Sequence, residues 1–261
     1  MTRIRFLVSY DGTDYCGWQR QGPEAGPSLQ QAIEEALARV FDQRIDLSAS
    51  GRTDAGVHAL GQVCHFDVDV PAERFLSWDF CWAMQGVLPK SIVVRKAWLA
   101  PSEFHATLSA THKTYRYLIY NHPRSNPFWV RTSHWVRKPL DLQVLQEVAD
   151  HLVGEHDFKS FQTSGTPVLS TIRTIYQAKW ERRSQNVVQF TVTGSGFLKQ
   201  MVRNLVGTQL QFEKFGREPS EIIDILKAKD RQKAGATAPP QGLQLWKVFY
   251  PTDLDNKCRP L

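Results

Sequence analysis

The segment Gly51-Arg52-Thr53-Asp54-Ala55-Gly56-Val57-His58-Ala59 holds the residue types and spacing best suited to chemistry. Two glycines bracket a short polar core, so the backbone can turn sharply there. Arg52 and Asp54 stand two residues apart, and in an extended stretch both side chains leave on the same side. A guanidinium beside a carboxylate favours the ionised acid. Such a carboxylate, held in a cleft, can attack an electrophilic carbon, take up a proton, or stabilise an oxocarbenium-like centre. The plainer reading of the same residues is a turn closed by an ordinary Arg–Asp pair.

Two further groups could assist. Tyr115 and Tyr117 share one face of a predicted strand, with Arg116 on the other. Aromatic rings on a strand next to cations can stack on nucleobases, although such tyrosines also serve as core packing. Arg203 interrupts the apolar helical run Gln200-Met201-Val202-Arg203-Asn204-Leu205. If buried it needs an anionic partner, and a carboxylate from the other half of the chain would serve. A surface position is the simpler alternative.

Other chemistries find no support in the pattern. There is no Gly-Lys dipeptide, hence no P-loop, and no G-x-S-x-G elbow or H-E-x-x-H pair. Gly194-Ser195-Gly196 precedes a predicted helix, but Lys199 stands where a dinucleotide fingerprint needs its third glycine; backbone amides there could still meet a phosphate. Cys16, Cys64, Cys81 and Cys258 are too scattered for a zinc site or disulfide framework and read as reduced thiols. His58, His65 and His105 read as hydrogen-bonded structural residues. No metal and no nucleotide cofactor is expected.

The elements that must position these residues alternate along the chain. Residues 4–10 alternate as a strand, and Ser28 with Gln31 starts a helix whose apolar face runs from Leu29 to Phe41. Strands are predicted near residues 45–49, 61–68 and 92–98, with one helix over 73–87. Residues 113–120 form a strand and 121–139 an exposed loop. Asp141 caps a helix that Gly154 ends. A hairpin covers 171–193, helices cover 197–210 and 219–228, residues 233–242 form a linker, and a strand over 243–250 leads to a polar tail. This mixture predicts an α+β fold in two similar lobes. The lobes are placed at residues 1–105 and 106–261.

Charge separates the two parts. Of 32 Lys/Arg and 26 Asp/Glu in 261 residues, residues 1–100 hold 10 and 12, and residues 101–261 hold 22 and 14, a net of −2 against +8. A basic half points to a polyanionic partner, nucleic acid first among them. The N-terminal residues lack the apolar core of an export signal, and the longest apolar run, Phe80 to Met84, is far too short to span a bilayer. No membrane association is expected.

Taken in order, Tyr10-Asp11-Gly12-Thr13, Gly17-Trp18-Gln19, the Gly51–Ala59 nonapeptide, Gly61-Gln62-Val63, Phe104-His105-Ala106, Tyr115-Arg116-Tyr117, His156-Asp157-Phe158, Gly196-Phe197-Leu198, Met201-Val202-Arg203-Asn204 and Gly242-Leu243 resemble the tRNA pseudouridine synthase A family over nearly the whole chain. The resemblance implies a cofactor-free isomerase that converts uridine to pseudouridine at positions 38, 39 and 40 of the tRNA anticodon stem-loop. It implies the pseudouridine synthase fold, a mainly antiparallel mixed sheet with helices on one side and an active-site cleft between lobes. It further implies a cytoplasmic homodimer.

By the same resemblance Asp54 matches the essential aspartate, which either attacks C1′ or removes the 2′-proton. Tyr115 matches the tyrosine that stacks on the target uracil and assists removal of the C5 proton. Arg52 matches an arginine for substrate binding or base extrusion, and Arg203 the arginine that pairs with the aspartate. His58, Gln62, Phe104 and His105 join Tyr115 and Arg52 as substrate-binding positions. The chain departs from the family pattern at Thr107, at Ser195, and after Gly207. Two other classes compete: a non-catalytic RNA-binding protein, which has no use for a carboxylate facing phosphates, and a glycosidase of free nucleosides, which has no use for the basic half.

Overall fold

The computed structural model describes every residue except Ser164, Thr166 and Pro167. Two units emerge, the first from Met1–Thr111 with Leu245–Leu261, the second from His112–Gln244.

The first unit runs β1 (Thr2–Tyr10), α1 (Leu29–Phe41), β2 (Ser48–Ala49), β3 (His58–Val68), α2 (Ala72–Leu76), α3 (Phe80–Val87) and β4 (Ile92–Ala100). β1 lies between β3 and β4 and is antiparallel to both, pairing Phe6 with Cys64 on one side and with Ala97 on the other. Its alternation places Ile4, Phe6 and Val8 in the core, fully buried. Phe6 meets Phe66 and Phe80, and Phe41 from α1 meets both of these, at centroid distances of 5.6–6.2 Å. Ser28 caps α1 by accepting from Gln31 N at 3.2 Å, while the Gln31 amide turns away to Glu35. The single helix expected over 73–87 is broken in two because the Asp79 carboxylate accepts from Trp82 N and starts α3 afresh.

The second unit contains β5 (His112–Asn121), β6 (His134–Val136), α4 (Leu142–Asp150), β7 (Gly154–Asp157), β8 (Ile172–Ser184), β9 (Val187–Gly194), α5 (Met201–Phe215) and α6 (Ile222–Ala228). β5, β9, β8 and β7 follow one another as antiparallel neighbours, and β6 joins β5 in parallel inside the expected 121–139 loop. Asp141 caps α4 through Gln143 N and Val144 N. The helix stops at Asp150, and Gly154, with φ of +112°, opens β7 instead of closing α4.

α5 starts at Met201, four residues later than expected, because Gln200 takes a left-handed conformation at its N-cap. Gly194-Ser195-Gly196 is therefore not a helix N-terminus. Ser195 N donates to Thr174 O at 2.9 Å and Ser195 Oγ accepts from Thr174 N, so the expected phosphate cradle does not form at this segment. Residues 233–242 are likewise no free linker. A side chain at Gly207 would overlap the Ala236 carbonyl, and Thr208 Oγ1 accepts from Gly235 N at 2.9 Å, so this stretch packs on α5.

After β10 (Leu243–Phe249), the expected polar tail forms α7 (Thr252–Lys257) and β11 (Arg259–Pro260) of the first unit, with β11 paired to β4. It is fixed by Arg5, whose guanidinium bonds Asp255 at 2.5 Å and lies 4.6–5.0 Å from the rings of Trp98, Phe104 and Tyr250. Both units are thus built on largely antiparallel strands with packed helices, the α+β class expected from the sequence.

Candidate active site

Asp54 stands half-buried on the turn between β2 and β3, with Arg52 exposed two residues before it. The turn is braced from several directions within the first unit. Trp18 N donates to Thr53 O at 2.9 Å, and Gly17 forms a bridge with Asp54. Gly17 has φ of +114°, and a Cβ there would lie 2.9 Å from Thr53 O, so close approach and backbone geometry both require glycine. Gly12 approaches the Val57 carbonyl more tightly still and donates its N–H to His58 Nδ1 at 3.1 Å. Tyr10 Oη and Thr53 Oγ1 share a hydrogen bond of 2.9 Å. Val57 N returns to Asp54 O at 3.1 Å while Gly56 takes φ of +73°, which closes the turn.

Gln62 completes the brace. Fully buried on β3, it accepts from Ser50 Oγ at 2.6 Å and donates to Gly51 O at 2.8 Å. The sequence motifs around Tyr10, Gly17, Gly51 and Gln62 thereby converge on one object, a turn that fixes the main chain of Asp54 from both ends. A carboxylate held in this way loses little conformational entropy when it meets a substrate.

His58, Phe104 and His105 also belong to the first unit. His58 is buried and engaged with Gly12. Phe104 is fully buried, its ring 5.0 Å from that of Tyr250 and edge-on to His65, so the structure places it in the core. His105 caps a turn, its Nδ1 accepting from Thr107 N and Leu108 N at 3.2 Å. Thr107, one of the departures from the family pattern, bonds Ala49 O at 2.5 Å and so ties this turn to β2.

In the second unit, Tyr115 lies on β5 opposite Val192, with 8% of its surface exposed. Its ring meets Phe197 edge to face, with centroids 5.1 Å apart. Tyr117, on the same strand face, is fully buried and donates to Pro239 O at 2.8 Å; burial pushes its phenol well above the usual range, so it is a packing residue. Arg203, partly buried on α5, donates Nε to Ala238 O at 2.8 Å. Beside it Asn204 is fully buried, donating to Phe161 O at 2.7 Å and accepting from Arg231 and Thr237 at 3.0 and 2.7 Å. Gly12, Gly17 and Asn204 were not among the expected site residues. Their signals were a polar residue inside an apolar helical run and glycines flanking a Trp or an Asp, all three within the motifs that carry the family resemblance.

The sequence profile of a family described as tRNA pseudouridine synthase matches residues 7–106 and 148–251. The chain belongs to this family of RNA-modifying enzymes. The tRNA pseudouridine synthase A of Bdellovibrio bacteriovorus is 59% identical over 260 residues, covering 100% of this chain and 99% of its own. The proteins of that name from Maridesulfovibrio salexigens and Bacillus subtilis are 42% and 41% identical, covering 96% and 95% of this chain and 91% and 99% of theirs. Among solved structures, a Cbf5-Nop10-Gar1 complex aligns with a TM-score of 0.39 and 13% identity over 95% of this chain, which spans about half (51%) of the aligned chain.

Proposed function

We propose that the chain isomerises uridine to pseudouridine in tRNA, at positions 38, 39 and 40 of the anticodon stem-loop, without a cofactor. The N1–C1′ bond breaks, the uracil turns, and C5 bonds to C1′; C5 gives up a proton and N1 takes one. Asp54 is the carboxylate that acts at the sugar, Tyr115 stacks on the extruded uracil, and Arg52, exposed beside Asp54, contacts the RNA backbone during extrusion. Arg203 is assigned by resemblance to hold the carboxylate ionised. Gln62 and His58 act by positioning the Asp54 turn, and Phe104 by packing. The +8 balance of residues 101–261 supplies phosphate contacts. Homodimerisation and a cytoplasmic location belong to the same proposal, and sedimentation in solution tests the first.

The observation that carries this reading is the half-buried Asp54 on a turn braced by Gly12, Gly17 and Gln62, in a chain of the tRNA pseudouridine synthase family. The test is tritium release from unmodified tRNA carrying 5-tritiated uridine, followed by mapping of the product. Asp54→Asn should abolish release and keep tRNA binding. Full activity in that variant overturns the assignment of the carboxylate.

A further inference from the structure

Residues 122–138 take no part in the chemistry just described, yet they build a pocket of their own in the second unit. It has a volume of about 260 Å³ and is walled by Tyr120, Asn126, Trp129, Ser133, His134 and Gln241, among others. That is just below the ~300 Å³ at which drug-sized pockets begin, so it suits one heterocycle and not an extended ligand. Trp129 lies nearly parallel to Tyr120, with planes 12° apart and centroids 6.2 Å apart, and presents a flat aromatic wall. Asn126 uses its carbonyl oxygen on Phe128 N, which leaves its NH₂ as a donor. Burial lowers the His134 pKa, so the ring is neutral near pH 7 and offers one donor and one acceptor. The Gln241 amide offers both as well.

The surroundings select the kind of ligand. Residues 104–140 contain no Asp or Glu, against Lys113, Arg116, Arg124, Arg131, Arg137 and Lys138. Phe128 is 90% exposed beside the pocket, and the Arg137 guanidinium lies 5.1 Å from the Trp135 ring. A flat aromatic surface, amide-type hydrogen bonding and a basic stretch of chain together are the requirements of a single-stranded nucleotide.

We propose that this pocket receives an unstacked base of the tRNA other than the uridine being isomerised, held against Trp129. The inference rests on the reading that tRNA is the substrate, and its tests are arranged to separate the two.

Ultraviolet crosslinking of the full-length protein to tRNA, with mass-spectrometric mapping, should place a nucleotide on Trp129 or Trp135. In filter binding, Trp129→Ala should weaken tRNA affinity about tenfold, while Trp129→Phe keeps most of it. Because Trp129 also packs on Tyr120, Gln241→Leu provides a second variant that leaves this wall intact; it should weaken affinity several-fold. In turnover assays the effect should fall on KM and spare kcat. Crosslinks confined to other segments, or unchanged affinity in both Trp129→Ala and Gln241→Leu, would overturn the proposal. A change in sedimentation coefficient with no change in tRNA affinity would also overturn it and make the surface a contact between copies of the chain. If the wild-type protein binds tRNA through this pocket and forms no pseudouridine, the proposed function fails and this site stands.

Discussion

The Gln62 side chain donates its Nε2 to the Gly51 carbonyl at 2.8 Å, so that β3 holds the first residue of the turn that carries Asp54. Its other amide atom accepts from Ser50 Oγ, and the residue is fully sealed from solvent. Gln62→Leu removes both bonds, the one to the half-buried Gly51 carbonyl and the one to the buried Ser50 hydroxyl. The expected cost is about 1–3 kcal/mol, read as a lower urea midpoint. Turnover should fall further than stability requires, with tRNA affinity retained, since the loosened group is the Asp54 turn. Equal activity at saturating tRNA would remove Gln62 from the positioning machinery.

Gly17 tests the same turn from the opposite side. Alanine there must adopt φ of +114° and places its Cβ 2.9 Å from the Thr53 carbonyl. Backbone strain of this kind costs on the order of 1–3 kcal/mol, or the bridge to Asp54 moves. Gly17→Ala should therefore lose activity in tritium release under conditions where circular dichroism shows it folded. Gly22, by contrast, has open space around it, and Gly22→Ala should be neutral in both measurements.

Asn204 offers a third test, in the second unit. Its amide joins Phe161, Arg231 and Thr237, while its neighbour Arg203 bonds Ala238 in the same stretch of chain. Asn204→Leu fills the space but removes its bonds to the Phe161 carbonyl, Arg231 and Thr237, which leaves the last two only their bonds to each other and to the 234–235 main chain. A loss of about 2–3 kcal/mol is expected by urea denaturation, from a buried network that loses its central amide. Asn204→Asp should be milder, because the carboxylate still accepts from Arg231 and Thr237.

Acid stability should report on His65. The ring is buried, accepts from Ala106 N through Nδ1, and lies 4.7 Å from His105. Burial first, then the electrostatic influence of His105 and of the Arg3 guanidinium, hold its pKa down to about 4 from 6.5, against an opposing pull from Asp67. The unfolded chain takes up this proton below about pH 6.5, whereas the folded chain resists until about pH 4. The contribution is fully present above pH 6.5 and is lost as the pH falls towards 4, by about 3 kcal/mol at the limit. Urea midpoints at pH 7, 5.5 and 4 should fall for the wild type, and His65→Gln should flatten that part of the profile. An unchanged slope in the variant would assign the acid sensitivity to other groups.

Local interactions were legible in the sequence. The Ser28 and Asp141 caps, the alternation of Ile4, Phe6 and Val8, and the hairpin of β8 and β9 depend on contacts within a few residues or on strict periodicity, and each formed where the pattern placed it. The division of 73–87 was written there too, in Asp79, but the apolar period runs through the break and hides it. The late start of α5 was not readable, because a left-handed Gln200 has no signature in residue type.

For the candidate site, the sequence by itself determined the presence of an acid between two glycines, its neighbouring arginine, and the family of the whole chain. Only the tertiary structure decided which residues hold that acid. Gly12, Gly17 and Gln62 reach the turn across gaps in the chain, and their role lies in close backbone approach and buried amide bonds that no periodicity records. The same reason explains the end of the chain, whose polar residues look like a free tail until Arg5 bonds Asp255, 250 residues away, and draws α7 and β11 into the first unit. Pattern specifies elements through short-range geometry; the partners of a buried polar group or a close-packed glycine are specified only once the elements meet.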